Sequence, residues 1–136
     1  MKITEALEVE HELLRHMIEA MSQWLAESVA PDKLRERAVM LEIAIDDHAA
    51  REEEQLFSPL SACSNSAHEL VNLMEMVHVE VRDLFDQVAD PARDPKEQLW
   101  TILMLTSEHF TKEETGVFPM AERLLGAEFL EIQGSP

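Results

Sequence analysis

The sequence predicts an all-α fold: an antiparallel up-down-up-down four-helix bundle with a short C-terminal tail. Three observations carry that expectation. Apolar residues recur at steps of three and four along most of the chain. Three clusters of turn-forming residues divide it into segments of roughly 24 to 30 residues, and long helices joined by short breaks pack against antiparallel neighbours. Three glycines, 5% aromatic residues and no tyrosine favour helix over sheet.

The first helix is expected from Thr4, a candidate N-cap, to Ser28. "VAPD" interrupts it, and the second runs from Asp32 to Leu60. "SACSNSA" is the next break, with Asn65 or Ser66 capping a third helix that reaches Ala89. After "DPARDP", Asp94 caps the fourth helix with Pro95 at its first position. Gly126 stops that helix, leaving a short tail with room for one more turn. Pro59 and Pro119 are expected to bend or end their helices. With no linker or low-complexity stretch, residues 1–136 read as a single domain.

The net charge of −17 argues against nucleic-acid and anionic-membrane partners, whose phosphates need Lys and Arg; hard cations or basic partners fit better. The one cysteine, Cys63, has no internal disulfide partner, reads as a small buried or loop side chain, and suggests a reduced compartment. The first residues are charged and periodic, without the apolar core of a signal peptide. No apolar run approaches the ~18 residues of a membrane span. A cytoplasmic protein is the expectation.

The inward seams carry the functional signal. The first helix presents Leu7, His11, Leu14, Ile18, Met21 and Leu25, and the second Leu34, Ala38, Leu41, Ile45, His48, Glu52 and Gln55 or Leu56. The third presents Ala67, Val71, Met74, His78, Val81, Phe85 and Val88. The fourth presents Leu99, Ile102, Thr106, His109, Glu113, Gly116 or Val117, and Met120. Each apolar seam is interrupted by one histidine, and in helices two and four by a glutamate one turn later. An unpaired buried carboxylate costs several kcal/mol, so two of them among four imidazoles call for a compensating positive charge, which a metal centre supplies. Counted from the breaks at 1.5 Å per residue, the four histidines and Glu52 fall about 18 to 29 Å along their helices, on one level of the bundle. His16 and His68 do not share it and read as surface or capping residues.

The pattern occurs twice. Glu8, His11 and Arg15 repeat as Glu75, His78 and Arg82. His48, Glu52, Glu53, Phe57 and Pro59 repeat as His109, Glu113, Glu114, Phe118 and Pro119. Four imidazoles and two carboxylates suit two borderline divalent ions bridged by the carboxylates, a di-iron or di-manganese pair; a structural zinc site stops at four ligands. In the ferritin-like variant, Glu8 and Glu75 would join through Glu-x2-His spacing.

Through "EVEHELLRHM", "HAAREEEQLFSP", "MVHVEVRDLF" and "EHFTKEETGVFP", nearly the whole chain resembles the hemerythrin-like, or HHE cation-binding, family. The resemblance implies a four-helix bundle around two non-haem iron ions, oxo- or hydroxo-bridged. It makes His11, His48, His78 and His109 the ligands and Glu52 and Glu113 the bridges, with Glu114 as the alternative to Glu113. Oxygen-carrying members place a fifth histidine where this chain has Arg82, so the pattern looks more like bacterial HHE proteins, including the di-iron domain of iron–sulfur repair proteins. The expected function is storage, sensing or scavenging of O2, NO or a related ligand such as peroxide. The alternatives are an enzyme of peroxide or NO turnover, an iron donor in cluster repair, and an acidic partner-binding bundle with a structural metal. Around the ligands, Glu8, Arg15, Glu75 and Arg82 are candidate supporting residues, and Phe57 and Phe118 are expected to close the dry end of the pocket. Glu53 and Glu54 are expected to turn toward solvent or the rim. Trp24, Trp100 and the methionines read as packing.

Overall fold

In the computed structural model, which describes residues 1–131, every extended element is helical. Helix α1 spans Ile3–Ala26, one residue earlier than expected, because the Lys2 backbone N–H donates to Glu5 Oε1 at 3.0 Å. Thr4 is not the cap. It is buried, and its hydroxyl donates to Glu122 Oε1 at 3.0 Å. Ala30 is extended, as the residue before a proline prefers, and Pro31 opens α2 (Pro31–Glu52).

Beyond α2 the chain makes a five-residue π turn, Glu53–Phe57, and continues as α3 (Ser58–Ser61). Helix α4 (Asn65–Val88) is capped by Ser64, whose side chain accepts from the Ala67 N–H. Asn65 and Ser66, the two expected caps, are its first two residues. Pro95 is the cap residue of α5 (Lys96–Lys112), and Asp94 Oδ1 accepts from the Lys96 N–H at 3.1 Å. A second π turn, Glu113–Val117, leads into α6 (Phe118–Leu125). Gly126, at φ 79°, makes the left-handed step into the single turn α7 (Ala127–Leu130). Leu130 is buried in the apolar cluster that holds Ile3, and Lys2 bridges Glu131, so α7 returns to the start of α1. The last five residues of the expected tail, 132–136, lie outside the described residues.

Pro59 and Pro119 do not end their helices. Each follows a π turn whose i to i−5 bond, Ser58 N–H to the Glu53 carbonyl and Phe118 N–H to the Glu113 carbonyl, supplies slack where a proline would break an α ladder.

The helices bury their seams. All the seam residues expected inward are buried except Gln55, which is exposed, and Gly116 and Met120, which are half-buried. The apolar core forms two clusters. One holds Leu14, Ile18, Met21, Leu25, Leu34, Leu41, Phe85, Leu99 and their neighbours, and the other Ile3, Leu7, Leu56, Phe57, Leu60, Val71, Val117 and Phe118. His11, His48, Glu52, His78, His109 and Glu113 are all buried too, though they belong to neither cluster. Only Met21 and Met74 of the methionines are buried, and Met40, Met76 and Met104 are more than half exposed, against their expected role as filler. Trp100 is also exposed, while Trp24 packs under the Arg37 guanidinium at 4.4 Å.

Candidate metal centre

His11 lies midway along α1 and His78 midway along α4. His48 and Glu52 close α2, and His109 and Glu113 close α5 and open the second π turn. Their side chains meet. His11 Nε2 stands 3.2 Å from His48 Nε2, and His78 Nε2 stands 3.0 Å from His109 Nε2. Glu52 reaches both pairs, with Oε2 3.3 Å from His48 and Oε1 3.1 Å from His78. Glu113 Oε1 does the same, 3.2 Å from His11 and 3.4 Å from His109. Two four-residue groups result, each with atoms close enough to hold one ion: His11, His48, Glu52 and Glu113, and Glu52, His78, His109 and Glu113. They share both carboxylates.

The outward nitrogens are held by a second ring of acids. His11 Nδ1 donates to Glu114 Oε2 at 2.7 Å, His48 Nδ1 to Glu10 Oε1 at 2.8 Å and His78 Nδ1 to Glu53 Oε1 at 2.9 Å. Each acid is matched by an arginine: Arg15 grips Glu114 with two bonds of 2.8 Å, Arg51 meets Glu10 at 2.9 Å, and Arg82 meets Glu53 at 3.3 Å. Each Glu-Glu dipeptide thus divides its labour. Glu52 and Glu113 face the centre, and Glu53 and Glu114 reach the imidazole on the neighbouring helix.

These contacts correct several expectations. Glu53, half-exposed at the rim, is not idle there, because it accepts from His78 Nδ1. Glu114 lies outside the inner ring, on the far side of His11. Glu8 is exposed and Glu75 half-buried, and among the described residues neither bonds to these imidazoles. Arg15 and Arg82 act on the acids rather than on the histidines directly. His16 and His68 are exposed, and His68 bonds to Ser61 and Asn72. Sequence reasoning missed Glu10, Glu53 and Phe110. The doubled Glu-Glu was the available signal for Glu53; Glu10, adjacent to His11, left none.

Three phenylalanines wall the imidazoles. Phe110 stacks on His11 with centroids 4.0 Å apart, Phe118 stacks on His11 at 5.5 Å, and Phe57 stacks on His78 at 5.7 Å.

The electrostatics of this cluster leave room for cations. Protons on Nδ1 of His11, His48 and His78 put the Nε2 lone pairs on the inside, the orientation that ligand imidazoles take. Lone pairs facing at 3.0–3.2 Å repel unless a proton or a cation lies between them. All four oxygens of Glu52 and Glu113 are buried without a hydrogen-bond donor of good geometry. Burial raises the Glu113 pKa, and the adjacent Glu52 raises it further. Burial also opposes the charge on Glu52, but Glu113 and the imidazoles of His109, His48 and His78 packed against it hold it well below the usual carboxylate range. Burial disfavours charge on His109, yet Glu113 and Glu52 prevail and raise its pKa to about 9. Without a cation, then, protons carry the positive charge this centre needs. Buried imidazoles and shared carboxylates are the donor set that suits a pair of borderline divalent ions, so the residues fit such a group.

Among the described residues, no helix is long and apolar enough to cross a membrane. Comparison with curated proteins and with solved structures returned no match. The family model described as "Hemerythrin HHE cation binding domain" matches residues 2–121, which include all six inner residues and the acids and arginines around them. The chain belongs to the hemerythrin family of HHE cation-binding domains.

Proposed function

We propose that this chain is an antiparallel four-helix bundle holding two iron ions, one between His11 and His48 and one between His78 and His109, bridged by Glu52 and Glu113. On this reading it binds O2, NO or a related small ligand. One observation carries the reading: two four-residue groups share the same two carboxylates, the arrangement a bridged pair of ions needs and a single structural ion does not.

Bound iron would supply reversible redox change and affinity for diatomic ligands. The remaining chemistry belongs to the chain. Glu114, Glu10 and Glu53 fix the tautomer and aim of three imidazoles, and Arg15, Arg51 and Arg82 neutralise those acids so that the outer ring adds little net charge. Phe57, Phe110 and Phe118 keep bulk water from the imidazoles. Iron would compete with the proton that Glu113 and Glu52 favour on His109, whose pKa they raise to about 9, so its uptake would depend on pH.

The test is anaerobic loading with ferrous iron, metal analysis per chain, and spectra recorded on adding O2 and NO. The reading expects close to two irons per chain and a reversible spectral change. Fewer than about one iron per chain, unaltered by Glu52→Ala, would contradict it.

A further inference from the structure

Behind the imidazoles the repeat is incomplete. Glu114 backs His11 and Glu10 backs His48, so both imidazoles of one half have an acid behind them. In the other half only His78 does, from Glu53. His109 Nδ1 is buried and has no hydrogen-bond partner among the described residues.

The missing acid can be located in the sequence. With His11 set against His78 and His48 against His109, Glu10 falls against Val77 and Arg51 against Lys112. Glu10 reaches across from α1 to His48 Nδ1 at 2.8 Å, and Arg51 meets it at 2.9 Å. Val77 and Lys112 line one groove between α4 and α5, the first half-buried and the second exposed. The place for an acid and the cation to match it are both kept; the carboxylate is not.

An imidazole that binds a metal through Nε2 keeps its proton on Nδ1. An acceptor behind that proton fixes the ring and makes Nε2 a stronger donor, and its loss weakens metal binding by about 10–100-fold. A buried N–H with nothing to accept it also disfavours the ligand tautomer. Glu52 and Glu113 belong to both four-residue groups, so the shared carboxylates do not distinguish the halves.

We infer that the centre holds its two ions unequally: the His11–His48 half fills first and keeps its ion, the His78–His109 half fills second and releases its ion first, and Val77 sets the difference. The inference rests on the di-iron reading and adds an order of filling and one exchangeable ion.

The experiment uses the full chain under anaerobic conditions, with ferrous iron titrated against a chromogenic chelator. Crystals loaded with one iron per chain are measured at the iron edge. Wild type should bind in two steps about 10–100-fold apart, and the single ion should lie between His11 and His48. Val77→Glu supplies the fourth acid within reach of the Lys112 groove, so it should tighten the second step by about tenfold or more and leave the first unchanged. A residue that only packs would give no such gain. Equal peaks in the two halves, or a first ion between His78 and His109, would overturn the inference. So would Val77→Glu that binds two irons with the second step unchanged. Should Val77→Glu fail to fold, Val77→Gln offers a neutral acceptor in its place, and an unchanged second step there overturns the inference as well. Two irons held equally would sink this inference alone, whereas wild type that takes up no iron would sink the di-iron reading with it.

Discussion

Replacing Glu114 by alanine separates the supporting acids from the inner ring. Glu114 accepts from His11 Nδ1 at 2.7 Å and from both Arg15 nitrogens at 2.8 Å. Arg15 above all holds its carboxyl below the usual range, so it is ionised at neutral pH. The Arg15 side chain is 37% exposed, and solvent limits that pair to about 1 kcal/mol or less. His11 is fully buried, and leaving its N–H without an acceptor costs about 1–3 kcal/mol. Loss of a carboxylate behind a ligand imidazole lowers metal affinity by about 10–100-fold, or about 1.4–2.8 kcal/mol. Glu114→Ala should therefore lose about that much iron affinity, mainly in the His11–His48 half, and destabilise the metal-free chain by about 2 kcal/mol. Ferrous competition against a chromogenic chelator reads the first effect and urea unfolding the second. Exposed Glu54→Ala is the control. Loss of both ions, as complete as in Glu113→Ala, would mean that Glu114 is itself a ligand. Affinity within about twofold of wild type would refute the supporting role.

The same geometry makes three other predictions. In the metal-free chain, His109 has its pKa raised to about 9, so its contribution is fully present below the unfolded value of 6.5 and is lost as pH rises through about 9; thermal unfolding of chelator-treated protein across that window should show the decline, and a flat profile would contradict it. Glu113→Gln removes a buried charge opposed by Glu52, so the metal-free chain should become more stable while its iron content collapses, and a variant retaining both irons would exclude Glu113 as a bridge. Phe57 is fully buried and stacks on His78, so Phe57→Ala should cost about 3–5 kcal/mol in chemical denaturation, a loss under 1 kcal/mol arguing against that packing.

The inner ring was legible because burial follows helical period. His48 and Glu52, and His109 and Glu113, lie one turn apart on seams that are otherwise apolar, and a polar residue on such a seam must answer to something. The π turns were not legible. Each adds a residue where the i, i+4 spacing of histidine and glutamate has already been satisfied, and Pro59 and Pro119 look like helix breakers when the wider turn is not considered. The supporting acids were read from the wrong residues for a related reason. Glu8 sits one turn before His11 on its own helix, but the outer nitrogens of His11, His48 and His78 point to a neighbouring stretch of chain, where Glu114, Glu10 and Glu53 stand. Such contacts depend on how helices pack together, which no single-helix period encodes. Phe110 was hidden because it adjoins His109 in sequence but packs on His11.

The measurement that bears most directly on the central claim is anomalous diffraction at the iron edge from crystals of the loaded chain. The account predicts two iron peaks, one among His11, His48, Glu52 and Glu113 and the other among Glu52, His78, His109 and Glu113. A single peak, or iron bound only by acidic groups on the surface, would contradict it.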